Sequence, residues 1–132
     1  MKVKLKKYNP KWNYLFEIEK EKLLIILGST GIKIEHIGST SIPDICSKPV
    51  IDIMIGVEKE KQLDNNINKI LTLGYTYVQK YEIFLPFRRY FFKLKNHDVK
   101  MKTVNIINAV SPEIELIEKL RNFSSINYST IK

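Results

Sequence analysis

The chain has almost no cysteine. Its single one, Cys46, excludes an internal disulfide and any thiol-based zinc site of ordinary spacing. No run is apolar for long enough to cross a bilayer, which argues against a membrane partner. The lysines of the opening MKVKLKKYNP are not followed by an apolar signal core, so a cytoplasmic protein is expected. Repeats, low-complexity stretches and an interior linker are also missing. Acid is in short supply too: 14 Asp and Glu stand against 22 Lys and Arg, a net charge of +8.

What is present reads as one domain over residues 1–132, 44% hydrophobic and 27% charged, large enough to bury a core unaided. The surplus charge is concentrated. Residues 1–11 hold five lysines and no acid, and residues 80–102 hold seven Lys and Arg against Glu82 and Asp98, so each segment carries +5. Two such segments on a near-neutral body suit polyphosphate or nucleic acid, or else form a solvated face.

Hydrophobic periodicity sets the order of elements. Residues 2–7 alternate lysine with Val3 and Leu5, as in an edge strand. Asn9-Pro10 opens a helix to about Leu27, where Gly28 stops it. Trp12, Phe16, Leu23, Ile26 and Leu27 form its buried stripe, and EIEKEK is expected to face water. Strands follow at 32–37 and 50–57, the second apolar on both faces and therefore central. A helix is expected over about 59–73, with Leu63, Ile67, Ile70, Leu71 and Leu73 inward and Gly74 as its stop. Three more strands are expected near 75–80, 87–95 and 99–107, the last two joined through Asn96-His97-Asp98. Ser111-Pro112 opens a last helix to about Phe123, and the tail 124–132 is expected to fray. The order predicts an α/β or α+β fold, a mixed sheet with about three packed helices.

The chemistry concentrates in HIGSTSIP, residues 36–43, and in VIDIMIGV, residues 50–57. Gly38 lets the chain turn and lets a ligand approach without a Cβ in the way. Ser39, Thr40 and Ser41 bring hydroxyls and amides, which suit a phosphate. Asp52 is a lone carboxylate in an apolar strand, where it needs either a cation or an ion-pair partner such as Lys48 or an arginine. A Mg²⁺ ion bridging Asp52 to phosphates held at 38–41 meets both needs. His36 either contacts a ligand or is a hydrogen-bonded structural histidine. Arg88 and Arg89 point to opposite faces of their strand, so at most one reaches a given pocket and the other is expected in solvent. Glu82 and Asp98, the only acids on the later strands, are read as exposed. Cys46 is read as a small buried residue rather than a nucleophile.

Gly38-Ser39 followed by Asp52 resembles the nucleotidyltransferase superfamily signature, in which paired acids hold two metals; here Met54 stands at the second acid's position. YNPKW with Phe16 and Glu19, HIGSTSIPDICSKPVIDIMIGV and FRRYFFK together closely resemble the GrpB-like family, over residues 8 to about 123. That resemblance implies a nucleotidyltransferase-like fold. It also implies phosphate or nucleotide binding at Gly38, Ser39 and Thr40, metal binding and any catalytic role at Asp52, and basic partners in Lys48, Arg88 and Arg89. The His-x-His-like run usual in the family is absent, its segment here being TVNIINA. The expected function is binding of a nucleotide or other phosphorylated ligand with Mg²⁺, with nucleotidyl transfer left open. The alternative is a non-catalytic module that grips RNA or an acidic protein partner.

Overall fold

The structure is a computed structural model, and it describes residues 5–28, 32–59, 61–80, 88–98 and 101–110. Within these, helix α1 (Lys11–Leu27) leads into strands β1 (Ile32–Ile37) and β2 (Val50–Val57). Between them lies a single 3-10 turn, Ser39–Ser41. Helix α2 (Lys61–Leu71) and strands β3 (Thr76–Val78), β4 (Arg88–Asn96) and β5 (Lys102–Val110) follow. The five strands form one sheet in the order β1-β2-β5-β4-β3, parallel only between β2 and β5. This is the mixed α+β sheet that the hydrophobic pattern predicts, with two α-helices described. The expected last helix and tail, 111–132, and Glu82 lie outside the described residues.

Local chemistry explains the element ends. The Asn9 side chain accepts the Lys11 N–H at 2.9 Å, and Gly28, at φ +79°, closes α1 by donating to the Leu24 carbonyl. Among the described residues the expected edge strand at 2–7 is reduced to one isolated bridge, Lys6 with Ser47 in the segment before β2, through bonds of 2.8 and 2.9 Å. The β4–β5 hairpin turns where expected, with the His97 N–H donating to the Met101 carbonyl.

The strand VIDIMIGV is buried from Ile51 to Val57, which its two-sided apolar pattern requires. Ile51, Ile53, Ile55 and Val57 face the helices and join Trp12, Phe16 and Leu23 of α1, Leu63 and Ile70 of α2, Phe91 and Ile107. Fully burying each such side chain contributes roughly 1.5–3 kcal/mol, so this one strand anchors much of the core. The intervening residues face the other side, where Ile37, Met54 and Val110 make a second, smaller cluster.

Two parts of the helix pattern depart from expectation. Leu71, expected inward, is exposed at the last turn of α2. Within EIEKEK, Glu19 is 2% exposed instead of facing water. Its carboxylate accepts hydrogen bonds from the Tyr75 hydroxyl at 3.0 Å and the Lys93 ammonium at 3.1 Å. The ammonium also donates to the Leu73 carbonyl at 2.8 Å, and Asn105 donates to the Tyr75 oxygen at 3.3 Å. A carboxylate tolerates this depth because a cation and a phenol satisfy it. Burial, reinforced by the Glu19 charge, pushes the Tyr75 phenol well up; burial lowers the Lys93 amine, and Glu19 opposes that shift.

Candidate functional site

The register of the sheet fixes what can meet what. Ile37, the last residue of β1, pairs with Asp52, the third of β2. The chain leaving β1 at Gly38 therefore turns directly beside the Asp52 side chain. Gly38 adopts φ +79°, a region that favours glycine, and a Cβ built there would lie 2.3 Å from Asp52 Oδ2. The carboxylate thus occupies the space that any other residue at 38 would need. Asp52 is 7% exposed.

The hydroxyls of the turn are engaged in shaping it. The Ser39 hydroxyl meets that of Ser47, which in turn donates to the Lys48 carbonyl at 2.7 Å. The Thr40 hydroxyl donates to the Val50 carbonyl at 2.7 Å, and Ser41 donates to the Gly38 carbonyl at 2.5 Å. Ser39 and Thr40 are buried. The Gly38 main chain and the Asp52 carboxylate complete the corner.

His36 lies on the helix side of β1, opposite Ile37 and Asp52. Its ring stacks on Phe16 of α1, with centroids 4.8 Å apart and planes at 16°. Its Nε2 lies 3.0 Å from the Thr40 oxygen. Thr40's one hydroxyl proton goes to Val50, so Nε2 carries the ring proton and donates it. Nδ1 is then a bare acceptor, buried without a hydrogen-bond partner. Burial lowers the His36 pKa from 6.5 to about 4. Through these contacts His36 braces the turn from beneath.

The basic residues do not converge on the corner. Arg88 shares the Asp52 face but lies two strands across and four residues along, about 16 Å away by ordinary strand geometry; its guanidinium sits over the Tyr90 ring. Arg89 points to the helices, as alternation requires. It is buried, however, not solvated, and donates to Asp64 of α2 at 3.0 Å. Lys48 is exposed beside Ser47. Asp98 sits exposed in the hairpin turn and accepts the Met101 N–H at 2.8 Å. Cys46 is exposed, contrary to its expected burial, because the segment after Pro43 runs along the surface.

Two residues on the Asp52 face escaped the sequence reading. Glu35 pairs with Met54, and Asn108 pairs with Met54 from the other side. The missing second acid's position is therefore flanked by a carboxylate and an amide, and Asn108 Oδ1 is buried without a hydrogen-bond partner. Alternation in IEHIG would have put Glu35 on the face of Ile37; Asn108 needed the β2–β5 register, which no local signal reveals. Among the described residues no group of three or more His, Cys, Asp or Glu forms a ready metal cage. A single carboxylate still fits a hard cation such as Mg²⁺, which is commonly held by one or two carboxylates with phosphates and water.

The chain is similar to several known proteins. The UPF0157 protein YqkA of Bacillus subtilis is 41% identical over 103 residues, 76% of this chain and 29% of that protein. The UPF0157 protein BH1888 of Halalkalibacterium halodurans is 35% identical over 74 residues, 56% of this chain and 38% of that protein. These matches span well under half of the relatives' lengths. The crystal structure of the conserved protein GrpB from Enterococcus faecalis superposes with a TM-score of 0.71 at 29% identity, covering 96% of this chain and 74% of that one. The model of the family described as GrpB protein matches residues 2–123, so this chain belongs to the GrpB family.

Proposed function

We propose that the chain binds a nucleotide or other phosphorylated ligand together with Mg²⁺ at the corner between Gly38 and Asp52. The observation that carries this reading is the close packing of the Gly38 main chain on the Asp52 carboxylate. It puts a glycine turn and a hard anionic ligand at one point on adjacent strands. A phosphate entering there would meet main-chain groups, since the Ser39 and Thr40 hydroxyls are engaged within the turn. Asp52 would hold the ion, and the ion would supply charge neutralisation for the phosphates. The donor set suits one ion accompanying its ligand better than two-metal nucleotidyl transfer, which ordinarily uses at least two acids.

Titration calorimetry with each of the four nucleoside triphosphates, with and without Mg²⁺, tests this. Mg²⁺-dependent binding by wild type and its loss in Asp52→Asn is the expected result. Silence from all four ligands, or equal binding by Asp52→Asn, overturns it.

A further inference from the structure

One end of each basic segment of the sequence meets the other in space. Lys6 and Lys7 of the first and Lys102 of the second line one cleft of about 490 Å³, with Trp12, Pro49 and Met101 as its apolar walls. Among the described residues, none that lines it is acidic. The three lysines are exposed. They are brought together by main-chain bonds: Lys6 pairs with Ser47, and Val104 at the start of β5 donates to the Pro49 carbonyl at 3.0 Å. Like charges gathered on one concave surface raise its potential and attract anions. Lys7 is shared with an adjoining cleft of about 420 Å³ lined also by Tyr8, Pro10 and Asp44. Tyr8 is half-buried and held edge-on by Trp12, with ring centroids 5.8 Å apart.

We propose that these adjoining clefts bind a single-stranded nucleic acid, with Lys6, Lys7 and Lys102 on its phosphates and Tyr8 beneath a base. A basic groove beside a fixed aromatic ring is the combination that holds single strands without sequence preference. Inorganic polyphosphate would use only the lysines, and the apolar walls and Tyr8 favour a chain that carries bases. Asp44, which also lines the second cleft, disfavours a phosphate there and suits a base. The groove is separate from the Gly38–Asp52 corner, and this inference stands or falls without it.

Fluorescence anisotropy of a labelled RNA of about 12 nucleotides, titrated with the full chain over about 50–300 mM KCl, decides the matter. Log affinity should fall linearly with log salt. Lys7→Ala/Lys102→Ala should flatten that slope by about 1.4, at roughly 0.7 per lost phosphate contact on a single strand. Tyr8→Ala should weaken binding about tenfold with the slope unchanged. Asp52→Asn should change neither. Lys61→Ala/Lys69→Ala, two exposed positions on α2, should leave the slope within error. Thermal melts establish that each variant is folded; should the double variant fail to fold, Lys102→Gln alone must lower the slope by about 0.7. No binding at the lowest salt, or an equal loss in the α2 control, overturns the proposal. Displacement by inorganic polyphosphate or by polyglutamate as effective as by unlabelled RNA overturns it as well.

Discussion

His36 shows how one residue can be read for chemistry and serve structure. The motif places it beside the glycine turn, and alternation correctly puts it on the face away from Ile37. Nothing local announces that Phe16, twenty residues earlier, will lie flat against its ring. That contact is tertiary, so the sequence alone could not show that α1 packs on this ring. The consequence is a pH effect with a definite sign. The unfolded chain titrates this imidazole near 6.5 and the folded one near 4, so the unfolded state takes up the proton first as pH falls. Stability from this site is full above about pH 6.5 and is lost as pH drops towards 4, by about 2–3 kcal/mol. In urea unfolding at pH 7 and pH 4.5, the wild type should lose that much more stability than His36→Phe, which cannot titrate. Parallel losses in the two proteins would show that the ring is protonated without penalty in the fold. That Gly38 and Asp52 meet was legible, in contrast, because a short connection between consecutive strands sets the end of one beside the next.

Helix α1 and strand β4 reveal what periodicity catches and what it misses. The stripe of Trp12, Phe16 and Leu23 was plain from 3.6-residue spacing, and all three are buried. Glu19 lies on the same side of the helix, but its charge reads as solvent-facing until Lys93 is known to arrive from the far end of the sequence. Arg89 repeats the lesson with Asp64, 25 positions away. A polar residue's burial is decided by its partner, and partners distant in sequence leave no local trace. The Glu19–Lys93 contact joins α1 to β4 under almost complete burial, with side chains 3% and 12% exposed. Removing one member strands the other's charge, so Glu19→Leu should cost about 3–5 kcal/mol. Glu19→Leu/Lys93→Met should recover much of that in urea unfolding, since no buried charge is left over. Strictly additive losses in the double variant would mean the two groups contribute independently.

At the scale of the molecule, the charge total and its placement act together. An excess of eight positive charges repels itself in the folded state, and salt screens that repulsion. The thermal midpoint should therefore rise by a few degrees between about 10 and about 150 mM NaCl, followed by circular dichroism. A midpoint that falls would mean attractive pairs such as Arg89–Asp64 outweigh the net repulsion. The sheet order was beyond the sequence, because strand pairing depends on contacts that hydrophobic pattern does not encode. Alternation gave five of the strands their places in the chain, yet not the parallel meeting of β2 with β5. That single parallel pair has an effect on how the molecule is made. As the polypeptide emerges from the ribosome, β2 can dock at once on β1, but its other edge waits through α2, β3 and β4 for a neighbour. Until β5 is synthesised, the greasiest strand of the protein keeps a row of unsatisfied amides and carbonyls open to other chains. The nascent protein is thus at its stickiest just before the hairpin that closes it.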